Sequence, residues 1–291
     1  WRMLQINRPE PRPKSLKVQE EGGYGLFDFD LWAYDIGFAA DAGDDPLPLS
    51  WAIKVVDQRM EDICQTLNLR EYEGFITGTE NFRYDIAKQV PYKSGRSTGK
   101  PRHYQAIRDY LVKAHNCTLV EGIEADDALA IRQTELGSNS IIISRDKDLR
   151  QVPGWQYGYP VGNQPEFGPW KYDELGELEL HVKYKEKDGV KRVSSTKLSG
   201  GGSKFFYSQV LTGDPTDTYP GLKGCGNAKA YKVLNETESV REMYEACLAL
   251  YEEKYPENAA EMLREQAQLA WMVREYDVKN NKPIMWREPD E

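Results

Sequence analysis

The feature that most constrains the fold is a set of three short apolar runs, each of which ends in acidic residues. The runs cover residues 24–27, 118–123 and 140–144. They lead into Asp28, Glu124 and Asp146 respectively. Stretches with helical spacing of apolar residues lie between and after these runs. Short strands that alternate with helices are typical of an α/β domain, so we predict a mainly parallel central sheet flanked by helices.

The acidic residues at the ends of these strands predict a metal site. Loops that leave the carboxyl ends of parallel strands meet in one crevice, where like charges repel unless cations neutralise them. Oxygen ligands without histidine or cysteine favour Mg²⁺ or Mn²⁺, and this many acids suggests two ions. The candidate ligands, which include a fourth acidic set in a GDPTD turn, are Asp28, Asp30, Glu124, Asp126, Asp127, Asp146, Asp148, Asp214 and Asp217.

Each acidic cluster also has a simpler interpretation. Acids in the first turn of a helix stabilise the helix dipole, which alone could explain Glu124, Asp126 and Asp127. Asp214 and Asp217 could cap turns, and acids after a strand could be ordinary solvated loop residues. Four clusters in strand-end or turn positions favour the metal-site interpretation when they are taken together.

The net charge and the local distribution of charge point to different kinds of binding partner. The chain has 291 residues and a formal net charge of −9, which by itself argues against a nucleic-acid partner. Residues 83–113, however, carry eight Lys and Arg against two Asp. Tyrosines within this basic segment suit a surface that contacts a nucleic-acid backbone, although a solvated loop is the alternative. The candidates for this contact are Arg83, Tyr92, Lys100 and Arg102.

A glycine-rich segment at 221–226 precedes a stretch with helical character at 227–234. A tight hairpin whose amides point toward a helix N-terminus can bind phosphate without reading sequence. The predicted contact residues are Gly221, Lys223, Gly224, Gly226 and Lys229.

Composition excludes several other classes of protein. No apolar run approaches the roughly 18 residues that span a bilayer, and no signal-peptide pattern is present, so we expect no membrane association. The four cysteines are widely spaced and there are only three histidines, which argues against a disulfide framework or a structural zinc site. A reducing, cytoplasmic location fits best.

Changes in composition predict four regions along the chain. Residues 1–23 are proline-rich and without periodicity, typical of an extended arm, and residues 24–177 form the α/β core. Residues 178–204 contain an alternating, charged, hairpin-like segment that ends in the flexible joint 199–203. Residues 205–291 are mainly helical, with further helices predicted at 240–254 and 259–276.

The order of the motifs resembles the 5′-nuclease superfamily, which comprises flap endonucleases and polymerase-associated 5′–3′ exonucleases. The resemblance is strongest to 5′–3′ exonucleases of the bacteriophage T-seven type. It rests on LFDFD at 26–30, PYKSGR at 91–96, GIEADD at 122–127, ISRDKDL at 143–149 and LTGDPTDTYPGLKGCGNAKA at 211–230, with AWMVREYDV at 270–278 and IMWRE at 284–288 in the tail. The segment 178–204 looks like an insertion relative to that family.

The resemblance implies a metal-dependent phosphodiesterase that acts on double-stranded DNA at a 5′ end or 5′ flap, and RNA–DNA hybrid is a further candidate substrate. It places one ion at Asp28, Glu124 and Asp126, and a second at Asp146, Asp148 and Asp217, with Asp214 as an addition. Lys93 and Arg96 match the basic pair of a helical arch, here within residues 83–117. The glycine segment matches a helix–hairpin–helix element that grips duplex backbone and can hold K⁺. A phage origin would place the protein in host cytoplasm, and the oligomeric state is not predicted.

One position departs from the family pattern, and two other functions are considered. The family has an aspartate near the end of the second strand, where this chain has Gly78. Either Glu80 swings in, Asp30 substitutes, or the first metal site is weakened. A weakened site would fit a non-catalytic protein that binds DNA structures. The pair Asp28 and Asp30 also resembles the nucleophile strand of haloacid-dehalogenase-like phosphatases, which is the other alternative.

Overall fold

A mainly parallel sheet forms the centre of the protein. The computed structural model describes residues 23–95, 99–187 and 190–290, so the predicted arm at 1–22 lies outside the described residues. The strands are β1 (Tyr24–Asp28), β2 (Glu71–Asn81), β3 (Cys117–Gly122), β4 (Ser140–Ile143), β5 (Gly154–Gly158) and β6 (Phe167–Tyr172). Their order is β3-β2-β1-β4-β5-β6, and every neighbouring pair is parallel except β5 with β6. The predicted fold class is therefore confirmed.

Helices flank both faces of this sheet. They are α1 (Asp30–Asp41), α2 (Leu49–Leu67), α3 (Arg83–Ile86), α4 (Tyr104–Ala114) and α5 (Ala125–Leu136). The alternation of side chains along the strands explains the two layers, because neighbouring residues of a strand point to opposite faces. Ile141 and Ile143 of β4 pack with α1, α2 and α4, while Ile142 packs with α5. Both faces are thus buried, as in parallel sheets generally.

The C-terminal part contains a hairpin followed by a group of helices. The hairpin strands are β7 (Leu178–Lys187) and β8 (Val190–Gly200), and the helices are α6 (Gly202–Thr212), α7 (Asn227–Leu234), α8 (Val240–Lys254) and α9 (Ala259–Ala270). Two short strands, β9 (Tyr276–Asp277) and β10 (Lys282–Pro283), follow. The helices share their own hydrophobic core, which includes Phe206, Leu211, Leu234 and Leu263. Within the described residues, no helix has the length and apolar character needed to cross a bilayer.

The flexible joint expected at 199–203 is wrong, because this segment is packed tightly. Gly202 begins α6 with a φ of +64°, and a Cβ there would lie 2.6 Å from the Cα of Gly176. A Cβ on Gly176 would itself lie 1.8 Å from the carbonyl oxygen of Gly201. The glycines therefore allow two backbone segments to touch where β8 joins α6.

The helix predicted at 259–276 ends at Ala270. The next residues are extended because their backbone groups bind side chains from the sheet domain. Met272 and Val273 donate their amides to Gln151 and Asp127, at 3.0 Å in each case. These contacts with distant residues stop a helix whose apolar spacing continues further.

Candidate functional site

A serine hydroxyl connects the ends of the two central strands. Asp28 is the last residue of β1 and is 2% exposed, and Ser144 directly follows β4. The Ser144 hydroxyl donates a hydrogen bond of 2.6 Å to the Asp28 carboxylate and accepts one of 2.9 Å from the Asp146 amide. The contact fixes the Asp28 carboxylate relative to the Asp146 backbone. Ser144 was not predicted as a site residue, although its position between two acidic strand ends could have indicated it.

Asp28, Asp126 and Asp146 lie close enough to oppose one another's ionisation. Burial raises the pKa of Asp28 to about 7, and the negative charges of Asp30 and Asp146 add to this effect. Burial also raises the pKa of Asp126 well above its usual value, with contributions from Asp146 and Asp28. The pKa of Asp146 is raised chiefly by burial. The structure thus brings together acids from three strand ends, and a cation would relieve their repulsion.

Glu124 has a different electrostatic environment. Burial alone would raise the pKa of this carboxyl, but Arg83 and Lys93 hold it below its usual value. The Arg83 guanidinium lies 3.2 Å from Glu124, and the Lys93 ammonium donates a short hydrogen bond to the other oxygen. The pKa of Glu124 is therefore lowered beside neighbouring acids whose pKa values are raised.

Lys93 is turned toward the acids. Its backbone is in the left-handed region, with a φ of +53°, and its amide donates to the Asp217 carbonyl at 3.0 Å. The ammonium contacts Glu124 and lies 4.0 Å from the Asp217 carboxylate. Lys93, which was predicted from the basic motif, thus reaches the predicted metal ligands. Its predicted companion Arg96 lies outside the described residues.

Arg83 was predicted to contact DNA, and this prediction is wrong. Its side chain is fully buried and forms a bidentate ion pair with Asp127, at 2.6 and 2.8 Å. It also donates to the backbone carbonyls of Leu269 and Trp271, at 3.2 and 2.6 Å. The guanidinium has no face toward solvent, so Arg83 holds the sheet domain and the C-terminal segment together.

Tyr92 was likewise predicted to stack on DNA, but its ring is 5% exposed and packs in the C-terminal core. The prediction is wrong because the ring faces inward. Its hydroxyl lies 3.0 Å from Glu124 and 3.0 Å from Asp217, two acids that are far apart in the sequence. Tyr92 therefore links the two predicted metal sites, a role that the basic pattern around it did not indicate.

Asp127 differs from the other predicted ligands in its hydrogen-bond and ion-pair partners. Both carboxylate oxygens bind Arg83, and they also accept hydrogen bonds from the amides of Glu124 and Val273, at 3.1 and 3.0 Å. A carboxylate with all of these partners would have to break a buried ion pair in order to bind a metal. The structure favours a structural role for Asp127.

A second group of acids surrounds Lys147. Its ammonium lies 2.6 Å from Asp148 and 2.5 Å from Asp214. Burial raises the pKa of Asp148 to about 7, and repulsion from Asp146 adds to this effect. In contrast, the ion pair with Lys147 and hydrogen bonds from two turn amides lower the pKa of Asp214 despite its burial. Lys147 was not predicted as a site residue. It lies between Asp146 and Asp148 in the ISRDKDL motif, and this proximity to the acids could have indicated that it is a site residue.

The end of β2 shows how the chain accommodates Gly78. A Cβ at Gly78 would lie 2.2 Å from the Glu121 carboxyl group, whose oxygen accepts the amides of Thr79 and Glu80. Glu80 is exposed. Glu121 thus closes off this strand end, and Glu80 does not turn toward the other acids.

Asp30 instead lies against the end of β2. Its carboxylate accepts the Thr77 amide at 2.9 Å and the Thr77 hydroxyl, and it lies 3.3 Å from the Arg108 guanidinium. Arg108 also donates to the Thr77 carbonyl at 2.5 Å. Asp30 therefore occupies this strand end, with its carboxylate held by Thr77 and Arg108.

The donor set fits a hard divalent cation, although the carboxylates do not converge on one point. Within residues 23–95, 99–187 and 190–290, no group of three or more His, Cys, Asp or Glu side chains is placed so that it could hold a metal ion. The ammonium groups of Lys93 and Lys147 lie among the acids instead. The raised pKa values of Asp28, Asp126 and Asp148 indicate net repulsion that additional positive charge would offset. Oxygen donors of this kind are those that Mg²⁺ and Mn²⁺ prefer.

The predicted phosphate-binding residues around the glycine segment divide into buried and exposed ones. Gly221 is buried, with a φ of +62°, and a Cβ there would lie 2.3 Å from the Gly213 nitrogen, so its predicted DNA contact is wrong. The exposed residues are Lys223, Gly224, Gly226 and Lys229. They surround the N-terminus of α7, which begins at Asn227. This turn can therefore present amides and ammonium groups to a ligand.

The other two predicted contacts, Lys100 and Arg102, are also exposed. The Lys100 ammonium lies 4.8 Å from the centre of the Tyr104 ring. Arg102 donates to the Leu47 carbonyl at 2.6 Å and lies 3.4 Å from Asp41, so part of its hydrogen-bonding capacity is already used.

Sequence comparison finds relatives among DNA polymerases. No family model matches the chain. DNA polymerase I of Chloroflexus aurantiacus is 30% identical over 201 residues, which is 67% of this chain and 19% of the polymerase. DNA polymerase I of Bacillus caldotenax is 25% identical over 223 residues, 72% of this chain and 22% of the polymerase. The chain therefore spans about a fifth of the length of these relatives.

Solved structures with a similar chain course include a T5 protein and the catalytic core of Rad2. The D15 protein of T5, co-crystallised with metal ions, aligns with 85% of this chain and all of its own, at 11% identity and a TM-score of 0.47. The catalytic core of Rad2 in complex with a DNA substrate aligns with 91% of this chain and 78% of its own, at 13% identity and a TM-score of 0.46.

The ordered motifs and the sequence relatives point to the same family. The matches cover about two thirds of this chain and lie in polymerases, and the predicted superfamily includes exonucleases that are associated with polymerases. The sheet has the predicted parallel order and gathers acids at its carboxyl edge. The resemblance of this chain to the 5′-nuclease superfamily is thereby confirmed.

Proposed function

We propose that this chain is a metal-dependent 5′–3′ exonuclease or flap endonuclease that hydrolyses phosphodiester bonds near a 5′ end. The observation that carries this proposal is the meeting of Asp28, Asp126 and Asp146 at the carboxyl edge of the sheet. The Lys93 ammonium lies beside them, in contact with Glu124. Carboxylates that raise one another's pKa, beside a lysine that could contact a phosphate, suit phosphoryl transfer.

Two divalent ions, Mg²⁺ or Mn²⁺, would share the site. Asp28, Glu124 and Asp126 would hold one ion, and Asp146, Asp148 and Asp217 the other, with Asp214 next to the second. When bound, such ions supply a water of lowered pKa and stabilise charge on the leaving oxygen. Tyr92 would orient a ligand of each site, since its hydroxyl lies between Glu124 and Asp217.

The side chains of this protein have separate tasks in the proposed reaction. Ser144 orients the Asp28 carboxylate through its hydrogen bond. The Lys93 ammonium, which contacts Glu124, would bind a nonbridging oxygen of a phosphate held at these acids and would offset the charge that develops on it. Arg83 stays buried and keeps Glu124 in place.

The substrate we propose is double-stranded DNA with a 5′ end or 5′ flap, and RNA–DNA hybrid is a further candidate. The turn before α7 would act as the hairpin of a helix–hairpin–helix element, with Lys223, Gly224, Gly226 and Lys229 on the backbone and K⁺ as a candidate ion there. Such contacts ignore sequence and weaken steeply with salt. A bacteriophage origin and a location in host cytoplasm go with this proposal.

The test removes two acids of one predicted site. In Asp146→Ala with Asp148→Ala, cleavage of a 5′-labelled flap substrate in Mg²⁺ should fall by at least about 10³-fold, because this site then keeps one ligand of three. The double variant Asp44→Ala with Asp45→Ala, in an exposed loop, is the control and should retain activity. Turnover that survives the loss of Asp146 and Asp148 would contradict the proposed site.

A non-catalytic DNA-binding protein is the second candidate, and the observation that favours it is Gly78 with an exposed Glu80. It predicts tight binding to flapped duplex without cleavage in Mg²⁺ or Mn²⁺. The phosphatase alternative predicts an aspartyl-phosphate on Asp28, and it gives no role to Lys93 or Asp126. Mass spectrometry of the protein after incubation with a small phosphomonoester separates this alternative from the other two.

A further inference from the structure

The hairpin of β7 and β8 places its leucines on one face and most of its cations on the other. In the register of the hairpin, Leu180 is opposite Leu198, and His181 is opposite Lys197. Because successive residues of a strand point to opposite faces, these two pairs mark the two sides of the ribbon. Leu178 and Leu198 pack into the C-terminal core, so the leucine side faces the protein. The other side faces away from that core.

The outward face carries a row of cations. Following the register past the bulge at Lys183 and Tyr184, this face holds Lys183 and Lys185 from β7 and Arg192 and Lys197 from β8. All four are exposed. Among the described residues, no carboxylate forms an ion pair with any of the four. Their charge is therefore available to a ligand.

The hairpin is positively charged, unlike the chain as a whole. Residues 178–200 contain six Lys and Arg against three Asp and Glu, whereas the whole chain has a net charge of −9. On the outward face, four exposed cations share the surface with one acid, Glu179, whereas on the other face Lys191 lies opposite Glu186. The excess of cations on one face indicates a polyanionic ligand.

The cationic face begins next to the turn that we propose to contact DNA. Asn227, the first residue of α7, donates a hydrogen bond of 2.8 Å to the Thr196 carbonyl on β8. Lys197 is adjacent to Thr196, and from there the ribbon extends about 20 Å to its turn at 3.4 Å per residue. Exposed cations thus continue from Lys223 and Lys229 along the hairpin.

We propose that the outward face of the hairpin 178–200 binds the phosphodiester backbone of duplex DNA beyond the α7 turn. The inference rests on the proposed function, and it assigns a use to the segment that looks like an insertion relative to the family. A length of about 20 Å corresponds to about six base pairs at 3.4 Å each, so the hairpin lengthens the footprint on the duplex. It binds without reading sequence, because lysine and arginine here meet phosphates.

The experiment compares two triple variants that remove the same charge. One is Lys185→Gln, Arg192→Gln and Lys197→Gln on the hairpin. The control is Lys54→Gln, Lys254→Gln and Lys279→Gln, at exposed positions on α2, at the end of α8 and in the tail. Fluorescence anisotropy in a chelator measures binding to labelled flap substrates with duplex arms of increasing length, over a range of salt concentrations.

On long arms, the hairpin variant should bind roughly tenfold or more weakly than the control variant, and its slope of log K against log salt should be smaller by about 2 to 3. On arms too short to reach the hairpin, the two variants should bind equally. Lys185→Arg with Lys197→Arg should retain wild-type affinity, since charge is what matters.

The outcomes separate this inference from the function on which it rests. Equal affinity and equal slopes of the two triple variants on long arms, in a protein that still cleaves its substrate, would overturn the role of the hairpin alone. A wild-type protein that neither binds nor cleaves flapped duplex would overturn both proposals. Weaker binding on every arm length would also count against the hairpin, because it would indicate a general effect of charge.

Discussion

The side chain of Tyr92 shows how one residue can couple two acids that are 93 positions apart in the sequence. Its hydroxyl is 3.0 Å from both Glu124 and Asp217, while its ring is held in the C-terminal core. The ring anchors the hydroxyl, so its single O–H can donate to either carboxylate without side-chain motion. At the scale of single residues, the site depends on side chains that orient the carboxylates as much as on the carboxylates themselves.

Substitution of Tyr92 by Phe should therefore affect metal use more than stability. The ring and its packing remain, so we expect a loss of only about 0.5–1.5 kcal/mol in unfolding free energy. The concentration of Mg²⁺ that gives half-maximal cleavage should rise several-fold, because Glu124 and Asp217 lose a common orienting partner. A titration of activity with Mg²⁺ measures this. Tyr84→Phe, at an exposed ring, is the control, and equal titration curves for the two variants would contradict the orienting role.

The ion pair between Arg83 and Asp127 stabilises the folded state. Replacing Arg83 by Met should reduce the unfolding free energy by about 3–5 kcal/mol, because it leaves a buried carboxylate without its partner. Urea denaturation followed by circular dichroism measures the change. Lys88→Met, at an exposed neighbouring position, should leave the midpoint nearly unchanged. A stable Arg83→Met protein with weakened DNA binding would instead support the surface role that burial excludes.

At the scale of elements, the junction of β8 with α6 depends on close contact between backbones. Gly176→Ala should destabilise the protein by about 2–4 kcal/mol, because the new Cβ would meet the Gly201 carbonyl and the φ of +69° is itself unfavourable. Gly162→Ala is the matched control, since its φ is +53° but nothing lies within 4 Å of its Cβ position. It should cost only about 1–2 kcal/mol. Thermal unfolding distinguishes the two, and equal losses would show that contact between the backbones is unimportant.

Sequence periodicity predicted local elements well and long-range partners poorly. Helices at 227–234 and 240–254 have the bounds that their apolar spacing predicts. The helix at 259–276 stops early because Gln151 and Asp127 bind the backbone after Ala270. The same physics explains the errors at Arg83 and Tyr92. Their basic and aromatic character suggested a surface, and only the folded chain supplies the buried acids that bind them.

The acidic residues of the candidate site were more predictable because their arrangement follows from topology. Parallel strands place their carboxyl ends at one edge, so acids that follow separate strands meet there. The sequence could not show which acids have other partners. Asp127 is bound by Arg83, and Asp30 is bound by Thr77 and Arg108.

At the scale of the whole molecule, the acidic site makes stability depend on divalent ions. The repulsion among Asp28, Asp126 and Asp146 is a cost of the folded state that a bound cation would offset. Mg²⁺ or Mn²⁺ at 100 times its dissociation constant should add about 2.7 kcal/mol to the unfolding free energy. Differential scanning calorimetry with and without the ion measures this. Asp28→Asn with Asp146→Asn should be more stable than the wild type in a chelator and gain little from the ion. If the unfolding midpoint of the wild type does not change when divalent ions are added, this result would argue against the cation site.

The most direct test of the central claim is a digest of one flapped duplex, labelled at either its 5′ or its 3′ end, with Mg²⁺ or with a chelator. The claim is that acids from separate strand ends form a divalent-cation site that cuts near a 5′ terminus. It predicts short labelled products from the 5′-labelled strand only when Mg²⁺ is present, with the 3′ label retained on long products. Cleavage that persists in the chelator, or that starts from the 3′ end, would contradict the claim.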